Sequence, residues 1–374
     1  MKFDRSDACG RLSPASSYNM HRLIASKTFG VLLCGLGLSL LTCVSRVVAQ
    51  TGRPPEANTQ ASASLVTQAR GLLEEGKIDA AIKVLLATQA GPGDEQVSYL
   101  LGLAYYRKGD YARAIQQLSS AMPSASGEGK EYRQAVQALG LSHYMLGHAA
   151  EAVPYLEQLN RWTPEGVEMA YALGVSYART RDAEKARATF ARMFKVTPGS
   201  ASAYLINAQM MIRQQLEELA EKELQKALEL DPRLPQANFL LGELAIYHAQ
   251  IDRGVELLQK EIAVNPANGM AYYRLGEAYT RQLKWDEAIP PLQKSIWLNP
   301  YFSGPYIVLG KVYLKKSDLL NAENMLRRAL QMDPNNYSGH HLLAQVLQQS
   351  NRADEARKEF ELAEKLRGSA GGNQ

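Results

Sequence analysis

Apolar and polar positions along this chain fall into helical stripes, and the stripes return every 34 residues. Pro164, Pro198, Pro232, Pro266, Pro300 and Pro334 stand 34 apart without a slip. With each proline at position 32 of a unit, small residues align at position 8 (Gly102, Gly140, Gly174, Ala208, Gly242, Gly276, Gly310, Ala344). They align again at position 20 (Ala81, Ala114, Ala152, Ala186, Ala220, Gly254, Ala288, Ala322, Ala356). Large residues fill position 11 (Tyr105, Tyr177, Tyr279, Tyr313) and position 24 (Leu118, Leu156, Phe190, Leu224, Leu258, Leu292, Leu326, Phe360). Positions 4, 7, 8 and 11 share one helical face, as do 20, 24 and 27, so each unit predicts two amphipathic helices packed antiparallel. The small residues mark where the two axes come within roughly 8–10 Å.

Backbone chemistry sets the boundaries. Asp231-Pro232, Asn265-Pro266, Asn299-Pro300 and Asp333-Pro334 end second helices, because the residue before proline is pushed out of the α region. Gly76, Gly109 and Gly147 mark the turn inside three units, where glycine takes a positive φ. Nine units result, starting near residues 62, 95, 133, 167, 201, 235, 269, 303 and 337.

This pattern resembles the tetratricopeptide repeat family, whose W-x2-L-G-x2-Y, A-x3-F and P signature is met by Tyr272, Leu275, Gly276, Tyr279, Ala288, Leu292 and Pro300. The next unit meets it with Tyr306, Leu309, Gly310, Tyr313, Ala322, Leu326, Ala329 and Pro334. The resemblance implies an all-α, right-handed superhelical solenoid of about nine helix-turn-helix repeats over 62–367, with a flexible tail at 368–374. Some units depart from it: Asn207 and Met211 replace the usual Leu and Tyr, and Gly254 and Glu261 stand where Ala is usual. An insertion at Ser124–Lys130 (SASGEGK) reads as a flexible joint.

Residues 1–49 are of another kind. The apolar run Phe29–Val44 follows Arg22 and Lys27 and leads to Val47-Val48-Ala49, the build of a secretory signal peptide cleaved between Ala49 and Gln50, with Met20 an alternative start. Two other readings use the same residues. A retained membrane anchor would need roughly 20 apolar residues, more than the run offers; a lipoprotein signal would acylate Cys43, beside an ill-fitting Thr42. Residues 50–61, with Pro54-Pro55, read as a disordered linker. Export places the protein in the periplasm or outside the cell, or facing the periplasm from an anchor.

The leader also changes the charge account. Six of the 42 Lys and Arg and two of the 38 Asp and Glu precede residue 50, so the remainder is neutral and lacks the excess cationic charge of a nucleic-acid binder. All three cysteines, Cys9, Cys34 and Cys43, lie in the leader, which leaves no disulfide or thiolate metal site after cleavage.

No catalytic motif of the metalloprotease, P-loop, serine hydrolase or C-x-x-C type occurs in the array, and no cofactor is implied. Adjacent His340 and His341 point about 100° apart on a helix and cannot chelate one ion together; His340 occupies a packing position, and His143 and His148 straddle a turn. An enzyme or a glycan-binding protein therefore has no motif behind it.

Positions 5, 9 and 12 follow the packed positions by one residue, which turns them onto the inner wall of the array. In the resembled family that wall receives extended peptides or partner helices. Here it carries Tyr99, Leu103, Tyr106, Leu141, Tyr144, Tyr171, Val175, Leu205, Ile212, Phe239, Ile246, Tyr247, Tyr273 and Ile307. Such tyrosines offer stiff contact area with a polar tip, or else pack sideways on the next first helix. A basic row at position 13 (Arg107, Arg179, Arg213, Arg281, Lys315) fits an anionic partner, and equally the helix dipole at a last turn. The carboxylate clamp of chaperone-binding members, Lys at 5 with Asn at 9, is absent, since Lys311 at 9 follows Ile307. The asparagine ladder at position 6 is absent too. The expectation is an exported, non-enzymatic scaffold for protein or peptide partners; the alternative is a tethered subunit of an envelope assembly, secretion or cell-wall machine.

Overall fold

Nine helical hairpins follow one another in the computed structural model, which describes residues 56–88, 94–122 and 129–371. The first pair is α1 (Glu56–Glu74) with α2 (Ile78–Ala87), followed by α3 (Glu95–Lys108) with α4 (Tyr111–Ser120) and α5 (Lys130–Met145) with α6 (Ala149–Trp162). Then come α7 (Val167–Arg179) with α8 (Ala183–Met193), α9 (Ala201–Arg213) with α10 (Glu217–Leu230), and α11 (Ala237–Tyr247) with α12 (Ile251–Val264). The last are α13 (Gly269–Arg281) with α14 (Trp285–Leu298), α15 (Ser303–Lys315) with α16 (Leu319–Met332), and α17 (Tyr337–Gln349) with α18 (Ala353–Gly371). The described residues contain helices and no strand, and they belong to one unit, Pro55–Gln374. The architecture is an all-α solenoid.

Two boundaries differ from the sequence expectation. The first helix starts at Glu56, inside the stretch expected as linker, directly behind Pro54-Pro55, and proline is tolerated at the mouth of a helix. The last helix runs to Gly371, into the stretch expected as a tail, with no proline along it to stop it. The leader, Ala49 and Gln50 lie outside the described residues, as does most of the 124–130 insertion; Gly129 and Lys130 lead into α5.

Within a hairpin, position 8 sits on position 24. A Cβ on Gly276 would stand 2.5 Å from Leu292 Cγ, and one on Gly174 2.6 Å from the Phe190 ring, so glycine there lets the partner side chain lie against bare backbone. Leu118, Leu156, Phe190, Leu224, Leu258, Leu292 and Leu326 are all fully buried as a result. The inner turn needs a left-handed residue in every hairpin. Gly76, Gly109 and Gly147 supply it in three, whereas Arg181, Gln215, Ala249, Leu283, Ser317 and Asn351 hold φ near 60° in the others. Asp110, Asp182 and Asp318 next in line accept backbone N–H groups of the second helix.

First helices also touch first helices of the next hairpin, from α1 on α3 through α7 on α9 and from α11 on α13 through α15 on α17, whereas second helices make no comparable contacts with one another. The odd-numbered row is therefore the closer-packed side. At α9 and α11 that closeness lapses, where the 231–236 connection brings buried Leu234 inward and leaves Gln236 at φ 73°.

Candidate functional site

Three successive first helices, α3, α5 and α7, line a cavity of about 440 Å³ on the odd row. Tyr106 comes from the end of α3, Leu141 and Tyr144 from α5, and Tyr171 from α7, all at inner-wall positions of the repeat. Tyr111, Met145, Val167, Met169, Ala172 and Met193 complete the apolar lining, with Glu168 beside them. Burial pushes the phenols of Tyr106 and Tyr144 above the ordinary tyrosine range, with Tyr111 and Glu168 adding to the first. Tyr171 adds to the second and Arg179 opposes it. All three rings are half-buried, so each packs sideways and still offers a face. A volume of this order suits a bulky side chain or a small ligand, and methionines let such a wall adapt to what enters.

The other inner-wall residues are placed differently. Tyr99 is buried, and its hydroxyl donates to Gln134 Oε1 of α5 at 3.0 Å. Leu103 is buried in the core of the first hairpins. Leu205 is half-buried against the core that runs from α5 to α11, Phe239 against the core shared by α12 and α13, and Ile307 is half-buried. Tyr273 meets the Phe302 ring edge-on at 5.0 Å and donates to Glu277 at 2.9 Å. Tyr247 is 72% exposed, with His248 edge-on to its ring. The basic row is exposed throughout. Arg107 donates to the Leu73 carbonyl at 2.6 Å and Arg179 to Gln214 Oε1 at 3.2 Å. The side chains of Arg213, Arg281 and Lys315 have no polar partner among the described residues.

Sequence reasoning overlooked Met145, although a signal was there. It stands at position 13, where the row of cations breaks, and it is 56% exposed at the rim of the cavity. Val167, at 63%, sits opposite in the first turn of α7.

Polar clusters elsewhere arise where units depart from the pattern. Asn207 of α9 donates to Glu223 Oε2 of α10 at 2.7 Å, and Arg187 of α8 reaches Glu223 at 3.0 Å while lying 4.0 Å over the Tyr204 ring. On the odd row, Arg274 stands between Glu243 at 2.7 Å and Glu277 at 2.8 Å. Burial holds the Glu243 carboxyl above the usual carboxylate range, against the pull of Arg274. His340 fills its packing position as a buried side chain, with Nδ1 2.6 Å from Glu359 and Nε2 2.9 Å from the Pro334 carbonyl.

Models of the tetratricopeptide repeat match residues 239–300 and 313–367. The chain is a tetratricopeptide repeat protein. Residues 7–234 match the family model described as the N-terminal domain of the type VII, ESX-1 secretion system protein EccA1; that is more than half of the chain, which belongs to this family over those residues. No curated protein matches the sequence. Among solved structures, this tetratricopeptide repeat array resembles in fold a crystal structure of MamA, at 22% identity over 44% of this chain and 96% of that one, with a TM-score of 0.41. It also resembles MamA 41-end from Desulfovibrio magneticus RS-1, at 21% identity over 45% and 96%, TM-score 0.42. YrrB, described as a TPR protein with an unusual peptide-binding site, is 18% identical over 49% of this chain and 93% of its own, TM-score 0.43.

Proposed function

We propose that this tetratricopeptide repeat protein is an exported, non-enzymatic scaffold that docks a partner protein on the odd-numbered helices, with the cavity between α3, α5 and α7 as the anchor point. The observation that carries the reading is the convergence of Tyr106, Leu141, Tyr144 and Tyr171 on one open apolar cavity. An exposed aromatic and methionine surface gains free energy when a partner covers it. The test is a photo-crosslinking residue placed at Tyr144 and, separately, at Trp297, which is exposed on second helix α14. Discrete protein adducts at 144 and none of the same at 297 are expected; identical adducts at both sites, or none at 144, would sink the proposal. Export rests on the leader's composition, and a mature protein beginning at Gln50 is its test.

A second reading makes the chain a tethered subunit of a secretion or other envelope machine. The match of residues 7–234 to a domain of a secretion-system protein favours it. Fractionation separates the two: a blocked or uncut leader co-sedimenting with membranes supports the tethered subunit, and a free Gln50 in the soluble fraction supports release.

A further inference from the structure

The cavity is not chemically neutral. Among its described lining residues one side chain is charged, Glu168 in the first turn of α7, which is exposed and has no ion-pair or hydrogen-bond partner among the described residues. The cations nearest in register do not line the cavity: Arg107 donates to the Leu73 carbonyl, and Arg179, whose charge is felt at Tyr144, donates to Gln214 above Gly147. Between them the basic row carries Met145 instead of a cation. The rings of Tyr106, Tyr144 and Tyr171 add partly negative faces to the same wall, and a guanidinium or ammonium over such a face is favoured most where water is excluded.

We propose that the cavity selects a partner segment in which a bulky apolar side chain is followed closely by Lys or Arg, the apolar group filling the space among Leu141, Met145 and Tyr171 and the cation lying between Glu168 and the tyrosine faces. This rests on the docking reading above and adds the chemistry of the occupant. An acidic residue next to the anchor would meet an unpaired carboxylate, and a polar anchor would leave the apolar wall unfilled.

Three fluorescent synthetic peptides, identical except for a central Phe-Arg, Phe-Glu or Ser-Arg pair, test it by fluorescence anisotropy with the purified protein. The Phe-Arg peptide is expected to bind at least fivefold more tightly than Phe-Glu and tenfold more tightly than Ser-Arg. Glu168→Gln should lower its affinity about two- to fivefold and erase the preference over Phe-Glu, the scale of an exposed ion pair. Tyr144→Ala should weaken it at least tenfold, the cost of a lost anchor, while Tyr144→Phe retains most of it. Equal or tighter binding of Phe-Glu, indifference to Glu168→Gln, or no saturable binding of any of the three overturns the proposal. Adducts at position 144 together with a reversed peptide preference would defeat this chemistry alone, whereas absence of adducts would defeat the docking reading beneath it.

Discussion

Glu261 of α12 receives the backbone N–H of Gln236 on both carboxylate oxygens, each at 3.0 Å, across the interior of its hairpin. Gln236 precedes α11 in a left-handed conformation and caps nothing with its own side chain. The buried carboxylate takes over that role, with Phe239 N–H at 3.4 Å, and ties in the following connection through Asn268 at 3.1 Å. A negative group at a helix N-terminus is favoured by both the open N–H groups and the dipole. Glu261→Ala is expected to cost about 1–3 kcal/mol by leaving buried donors unpaired. Hydrogen exchange should show it as faster exchange at Gln236 and Phe239, with Glu261→Gln intermediate.

Arg187, Glu223 and Asn207 form a second polar set inside the array. Removing one member of such a set leaves a desolvated charge behind, so Glu223→Ala is expected to cost about 3 kcal/mol or more. Joint replacement by Arg187→Met, Glu223→Leu and Asn207→Leu should recover most of that loss. Denaturant midpoints of the single and triple variants decide it.

His143 stacks on Tyr155 with centroids 6.0 Å apart and 5.8 Å from the His148 ring. Burial lowers its affinity for a proton, the neighbouring His148 adds to this and Glu151 opposes it. A histidine held below its unfolded value, about 6.5, favours folding fully above that value and loses the contribution as pH falls through it. Acid should therefore loosen the α5–α6 hairpin, and His143→Phe should flatten the dependence of melting temperature on pH in that range.

Tyr99 behaves oppositely. Burial first, and Glu131 next, push its phenol up to about 12, with Arg70 and Arg107 opposing. The raised value means its contribution is complete below the unfolded value, about 10, and is lost as pH rises from there towards 12. Tyr99→Phe should remove one late-ionising phenol from the ultraviolet tyrosinate titration and reduce the alkaline loss of stability.

Gly276 has no room for a methyl group. Gly276→Ala would press on Leu292 and is expected to cost about 1–3 kcal/mol, while Gly71→Ala, where a Cβ meets nothing within 4 Å, should cost none of it. Thermal melts of the two variants make the comparison.

The repeat period, the number of hairpins and the small residues that let two helices approach were legible in the residues alone, because each depends on a local rule repeated many times: proline ends a helix, a small residue admits its neighbour, an apolar stripe is buried. The left-handed inner turn was legible only at Gly76, Gly109 and Gly147, since Arg181, Ala249 or Leu283 adopts the same φ under tertiary constraint and against its own preference. The inner-wall tyrosines share a register, but tertiary packing decides their fates. Tyr99 is sealed against α5, Tyr273 meets Phe302 edge-on, and Tyr106, Tyr144 and Tyr171 line one cavity contributed by three successive first helices. Period is a property of the chain, whereas a cavity is a property of the distances between helices. Those distances follow from the exact shapes packed at every contact, which no single position along the sequence records.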